Sequence, residues 1–167
     1  MIPDVKVVIA GQNHPQKPNY LEKIFESRLE CFLENGAISY RGYVSDFDLK
    51  NLFYEANIIV LTNSLVAGSS ASLRFASCFS RGVILPRVNE YDKLDDLTWG
   101  VLKYNFGDKN EFLEKILMVL SDYDLQSDLS RKNYNRAASA KKIFFRKHAD
   151  CFEEIRKKPI YGNSVSM

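Results

Sequence analysis

Ile58-Ile59-Val60-Leu61, Gly68-Ser69-Ser70-Ala71-Ser72 and Val83-Ile84-Leu85-Pro86 follow one another within a single stretch of the chain. The first and last of these are short, apolar and β-branched, which is the pattern of strands buried on both faces. Residues 70–80 between them read as a helix, and Pro86 stops the second strand. Two apolar strands joined through a helix form a crossover, and crossovers build parallel sheets.

The same alternation extends in both directions. Lys6-Val7-Val8-Ile9-Ala10 reads as a strand ending at Gly11, followed by a polar loop broken by Pro15 and Pro18. Residues 20–34 place Leu21, Ile24, Phe25, Leu29, Phe32 and Leu33 on one helical face, and Asn35-Gly36 supplies the stop. Ile38 to Arg41 is a second strand, ending at Gly42. Asp46 is the expected cap of a helix to about Ala56, with Leu49, Leu52 and Phe53 inward. Val101 to Tyr104 is a fifth strand. Asp108 starts a helix with Phe112, Ile116, Leu117 and Leu120 as its apolar positions. Residues 125–157 are helical, expected in more than one piece. The chain is therefore expected to be α/β, a Rossmann-like parallel sheet with helices on both faces. One domain over 1–158 and a frayed tail over 159–167 are expected. Ligands of such sheets bind beyond the carboxyl ends of the strands, which singles out the loops 11–19, 42–45, 62–69 and 87–90.

Composition narrows the partners. The 167 residues carry a net charge of +2, too mild to indicate nucleic acid, and 46% are hydrophobic, as in ordinary globular chains. No apolar run approaches the roughly 20 residues of a membrane helix. The start, Met1-Ile2-Pro3-Asp4-Val5-Lys6, is not expected to act as a signal peptide. Cys31, Cys78 and Cys151 are odd in number and lack a C-x-x-C spacing, so reduced thiols in a cytoplasmic chain are expected, with Cys78 in the core. No metal or cofactor is expected. His14 and His148 are the only histidines, and no general base is evident.

Residues 56–89 contain no aspartate or glutamate, and their only charges are Arg74, Arg81 and Arg87. The small residues Gly68, Ser69, Ser70, Ala71 and Ser72 stand in the middle, immediately before a helix. A helix start exposes unpaired N–H groups and a partial positive charge, and small side chains let an anion come close. The local alternative is that Ser69 or Ser70 is only a cap. The position after a central strand, with no acid nearby, favours an anion such as a diphosphate. The cluster has neither the lysine of a P-loop nor a G-x-G-x-x-G pattern.

The order of these segments resembles the donor-domain core of family 4 glycosyltransferases of the GT-B fold. The resemblance rests on Ala56-Asn57-Ile58-Ile59-Val60-Leu61, Ser70-Ala71-Ser72 and Ala76-Ser77-Cys78-Phe79-Ser80-Arg81-Gly82-Val83-Ile84-Leu85-Pro86. Val8-Ile9-Ala10-Gly11, Tyr40-Arg41-Gly42-Tyr43-Val44 and Gly107-Asp108 are similar to flanking elements of that family, over roughly residues 5–153. The resemblance implies a single GT-B half-domain that binds a nucleotide diphosphate sugar for transfer to a glycan or lipid-linked acceptor. It implies the base beside Tyr43 and Val44, the sugar facing Asn63 and Ser64, the diphosphate on the backbone near Ser69, Ser70, Ala71 and Ser72, and close approach at Gly11.

Several positions depart from the family pattern. Phe75 stands about where a second family glutamate would hold the ribose, and Leu65-Val66 stand near the first. Ribose recognition is then either lost or left to backbone groups. Ala71 replaces a glycine and Gly82 a proline. The family's arginine and lysine on a preceding strand and helix are expected to lie outside this chain, as is the N-terminal acceptor domain. A non-catalytic interaction or regulatory module that keeps the half-fold is the rival reading. Arg131, Lys132, Arg136, Lys141, Lys142, Arg146 and Lys147, with Phe144 and Phe145, make the C-terminal helices basic and a candidate for peripheral contact with acidic lipid. A solvated helix face is the plainer reading.

Overall fold

Two short strand triplets, Val-Val-Ile and Ile-Ser-Tyr, pair in parallel. In the computed structural model, which describes residues 5–11, 23, 36–62 and 71–157, strands β1 (Val7–Ile9) and β2 (Ile38–Tyr40) lie parallel, with Val7 opposite Ile38 and Ile9 opposite Tyr40. Beyond residue 140, and at Asp46, Asn89 and Glu90, only the backbone is described. Of the helix expected over 20–34, only Lys23 is among the described residues, and it is helical. The expected tail, 159–167, lies outside them.

A second parallel sheet has the order β3 (Ile58–Val60), β4 (Gly82–Pro86), β5 (Val101–Tyr104). Ile58 pairs with Gly82, Val83 with Val101, and Pro86 with Tyr104. The parallel pairing expected from sequence is present, and among the described residues it falls into two sheets, β1 with β2 and β3 with β4 and β5. The central strand β4 is buried along its whole length, as an apolar strand covered on both faces should be.

Helices complete the core. Helix α1 (Asp46–Glu55) joins β2 to β3 and contributes buried Phe53. Its cap is Ser45 rather than Asp46: the Ser45 hydroxyl accepts from the Asp48 N–H at 3.2 Å and donates to the Asp48 carboxylate at 2.7 Å. Ser45 sits in extended backbone one position before the helix, where a hydroxyl reaches the third residue on. At the other end of α1, the Arg81 guanidinium donates to the carbonyls of Phe53 (3.1 Å) and Tyr54, groups a helix leaves without internal partners.

Helix α2 (Ala71–Cys78) follows β3 and buries Leu73, Ala76 and Ser77. Cys78 is exposed, not in the core as expected: it is the last residue of α2 and lies off the face that Leu73, Ala76 and Ser77 turn inward. Phe53, Phe75 and Phe79 form an aromatic trio with centroids 5.9–6.3 Å apart. The short helix α3 (Asn89–Asp92) carries buried Tyr91. Asp108 caps α4 (Lys109–Ser121), accepting from the N–H groups of Asn110 and Glu111 at 3.0 Å. In α4 it is Val119 that is buried, while Leu117 is exposed.

The C-terminal segment is one helix, α5 (Tyr123–Lys157), instead of several pieces. It contains neither proline nor glycine, and Asp128 pairs one turn on with Arg131 and Lys132. Buried Leu129 packs against β4 at Gly82.

Candidate functional site

The two sheets each present a carboxyl-terminal lip. On the first, Gly11 leaves β1 with φ 140° and Gly42 leaves β2 with φ 58°, conformations that favour glycine. The Gly11 N–H donates to the Gly42 carbonyl at 2.8 Å, and the Tyr40 hydroxyl donates to the Gly11 carbonyl at 3.2 Å. These bonds hold the loops after β1 and β2 together. Among the described residues, a Cβ at either glycine would meet nothing within 4 Å. Tyr43, next in the loop, is 73% exposed; Val44 is half-buried.

On the second sheet, α2 ends at the start of β4. The Ser80 N–H donates to the Ser77 carbonyl (3.0 Å) and the Arg81 N–H to the Ala76 carbonyl (2.9 Å), with Ser80 at φ 55°. That is a Schellman termination, and it turns the chain directly into Gly82. A helix of eight residues is about 12 Å long, and α2 packs along β4. Its first residues, Ala71 and Ser72, therefore point back toward the carboxyl ends of β3 and β4. Both are exposed, and the first turn has no acidic residue. Its end carries the N–H groups and partial positive charge that anions favour.

Neighbouring groups are mostly occupied by the fold. Arg81 caps α1. Arg87, after β4, is half-exposed, pairs with Asp92 at 3.6 Å, and donates its backbone N–H to the Tyr104 carbonyl at 2.7 Å. Arg74 on α2 is exposed. After β5, Phe106 is exposed, while burial raises the Tyr104 phenol above its ordinary pKa and keeps it neutral. Phe75 belongs to the aromatic trio and packs against the core. Asp48 is engaged with Ser45. Among the described residues no group of histidine, cysteine, aspartate or glutamate is arranged to hold a metal.

Of the residues singled out from sequence, Gly11, Tyr43 and Val44 come together at the first lip, and Ala71 and Ser72 open α2 on the second. Asn63, Ser64, Ser69 and Ser70 lie outside the described residues. Two buried polar residues that brace the second sheet escaped the sequence reading. Lys103 is buried in β5, its Nζ bonded to Asp96 (2.8 Å) and to the carbonyls of Leu94 (2.6 Å) and Asp92 (3.2 Å). Asn133, fully buried in α5, ties β4 to β5. A lysine inside an otherwise apolar strand is a signal that could have been followed; an asparagine in a long polar helix gives none.

Parallel strands joined by crossover helices, with glycine at the ends of β1 and β2, are the pattern of the carboxyl-terminal half of the GT-B glycosyltransferase fold. The chain has that fold, and the solved structures it resembles carry it. The Alr3699/HepE protein of Anabaena, solved with UDP-glucose, superimposes with a TM-score of 0.69 at 14% identity, over 82% of this chain and 37% of that one. A glycosyltransferase from Rickettsia africae ESF-5 gives 0.68 at 17% identity, over 93% and 41%. The C-terminal domain of the group 1 family glycosyl transferase LpcC from Francisella tularensis gives 0.65 at 18% identity, over 82% and 70%. The chain thus spans well under half the length of the first two. No family profile and no curated protein matches it in sequence.

Proposed function

We propose that this chain is the donor-binding half of a glycosyltransferase and holds a nucleotide diphosphate sugar. The carrying observation is the open start of α2: Ala71 and Ser72 are exposed at the mouth of the sheet with no acid in the turn. The UDP-glucose in the HepE structure, on the same fold, supports the reading. The diphosphate would lie on the α2 amides, the base beside Tyr43 and Val44, and Gly11 would give it room. Negative charge gathering on the departing diphosphate would be stabilised there. Transfer to a glycan or lipid-linked acceptor, in the manner of a hexosyltransferase, would take place against a separate acceptor-side domain, and this chain alone would be inactive.

We place the reaction in the cytoplasm, in polysaccharide synthesis. No helix among the described residues is long and apolar enough to cross a membrane. Arg131 and Lys132 are engaged with Asp128, and Arg136 lies over the Trp99 ring at 3.6 Å. Any contact with acidic lipid would therefore fall to Lys141, Lys142, Arg146 and Lys147.

A second reading, a binding module without transferase activity, is favoured by Phe75. Where the family resemblance puts a ribose-holding acid, this chain has an aromatic packed into the core. Titration with uridine and guanosine diphosphates separates the two. Donor binding predicts millimolar or tighter affinity, weakened about ten-fold or more by Ser70→Asp and by Ser72→Asp through charge repulsion at the helix start. Failure of every nucleoside diphosphate to bind supports the module.

A further inference from the structure

Helix α4 is apolar around more of its girth than the fold uses. Its inward side carries buried Val119, with Phe112 and Ile116 half-buried, and it packs on β5 and α5. Phe112 meets the Tyr104 ring of β5 at a centroid distance of 4.9 Å. The outward side carries Leu113, Leu117 and Met118, which are 54%, 45% and 46% exposed. These apolar positions spread over roughly 260° of the helix, where one buried face needs a stripe of about 100°. Exposed Phe106 precedes the helix and exposed Tyr123 follows it. α4, β5 and the start of α5 are all described side chain by side chain.

Charge divides the two ends of this strip. At its start Lys109 is exposed and joins no ion pair among the described residues. The acids beside it are engaged: Asp108 accepts from the first α4 amides, and Glu111 from the Asn105 N–H at 2.7 Å. At its end the last turn of α4 has no basic residue, and exposed Asp122 and Asp124 follow. Asp122 accepts from the Leu125 N–H at 2.9 Å, and its charge still faces solvent. A helix end of this kind favours a cation, and α4 supplies none of its own.

We propose that this strip binds a second copy of the chain, with the two α4 helices antiparallel about a two-fold axis beside Glu114 and Lys115. A two-fold contact must be self-complementary, and this one is. Residues 113 and 117 are equally distant from 115, so Leu113 of one protomer meets Leu117 of its partner. Residues 109 and 122 are nearly so, which brings Lys109 of one protomer to the acidic end of the other helix. The apolar match and the charge match thus fall in one register. A parallel pair would set Lys109 against its own copy. The Glu114 carboxylate near the axis is paired with Lys115 at 3.2 Å, so the contact does not oppose two bare acids. Thirteen residues make a helix about 20 Å long. Such a strip is smaller than the roughly 800 Å² per partner of a standard interface. The dimer is therefore reversible, forming at about tens to hundreds of micromolar.

The proposal does not depend on donor binding. Its test is sedimentation velocity of the 167-residue chain from about 1 µM to about 1 mM, with amide shifts followed over the same dilution series. A shift from monomer to dimer is expected, with concentration-dependent amide shifts confined to about residues 106–124. Leu113→Glu and Leu117→Glu fall at exposed positions, where folding tolerates change, and each should weaken the dimer about ten-fold or more. Lys109→Glu places an acid in a first helical turn, which suits the helix itself, yet should weaken the dimer about three-fold or more. A monomer at 1 mM, association that survives Leu117→Glu, association indifferent to Lys109→Glu, or shifts on another face would each overturn the proposal.

Discussion

Asn133 and Gly100 exchange two hydrogen bonds across the interior: the Gly100 N–H donates to the Asn133 side-chain oxygen at 3.0 Å, and the Asn133 amide donates to the Gly100 carbonyl at 2.9 Å. The same amide also donates to the Arg81 carbonyl at 2.6 Å. One side chain of α5 thus joins the backbone just before β4 to that just before β5. Asn133→Ala would leave the Gly100 N–H and the Arg81 carbonyl without this partner, while the Gly100 carbonyl keeps the Val83 N–H at 3.0 Å. At about 1–3 kcal/mol for each such group, a loss of roughly 2 kcal/mol or more is expected in denaturant unfolding, and Asn133→Asp should not restore it fully because it supplies no amide donor.

Gly100 is fixed by space as well as by bonding. A Cβ there would lie 1.8 Å from the Leu129 carbonyl oxygen, a backbone atom that cannot swing aside. Gly100→Ala should cost at least ~3 kcal/mol, near the top of the overpacking range. Chemical denaturation compared with Gly107→Ala checks this, since a Cβ at Gly107 meets nothing within 4 Å and only its φ of 90° is unfavourable.

Ser80 holds a left-handed conformation at the end of α2 that glycine adopts without steric cost. Ser80→Gly is therefore expected to stabilise the chain by about 0.5–1 kcal/mol, after allowing for the greater freedom of glycine in the unfolded state. A melting temperature raised by roughly 1–4 °C would agree; a lowered one would show that the Ser80 side chain contributes something the turn geometry does not reveal.

Lys103 anchors the segment that follows α3. Its side chain is 4% exposed and bonds to Asp96 and two carbonyls. Lys103→Met keeps the stem and removes the charge, at an expected cost of about 2 kcal/mol given the exposure of Asp96. The effect should be concentrated in faster amide exchange over residues 92–98.

Hydrogen bonds from Lys132 first, and from Arg131, hold the Asp128 carboxyl below its ordinary pKa. A depressed folded-state pKa contributes stability above the ordinary carboxylate value, and that contribution is lost as pH falls through the lowered one. Asp128→Asn should therefore be the less stable protein at neutral pH, with the two unfolding curves converging in acid. Because the pair is largely exposed, added salt should shrink the difference.

Much of the fold could be read from local chemistry. The five apolar runs became the five strands, because short β-branched segments bounded by glycine or proline have few other uses. The crossover logic gave their parallel pairing. The division into two sheets could not be read, because no local pattern tells a strand how many neighbours it will have. Capping was legible to within one residue: both Ser45 and Asp46 suit a helix start, and only backbone geometry chose Ser45. The length of α5 was obscured by its polarity, which looks like several helices until the absence of a breaker is weighed. At the site, glycine at 11 and 42 was legible because left-handed turns demand it. That Arg81 caps α1 was not legible, since which carbonyls it meets depends on packing between segments distant in sequence.

The donor-site account is tested most directly by assigning the amide resonances of the chain and adding UDP. It predicts the largest shifts at Ala71 and Ser72, with smaller ones at Gly11 and Tyr43, and their disappearance in Ser72→Asp. Shifts confined to another face of the protein, or no shifts at millimolar nucleotide, would contradict it.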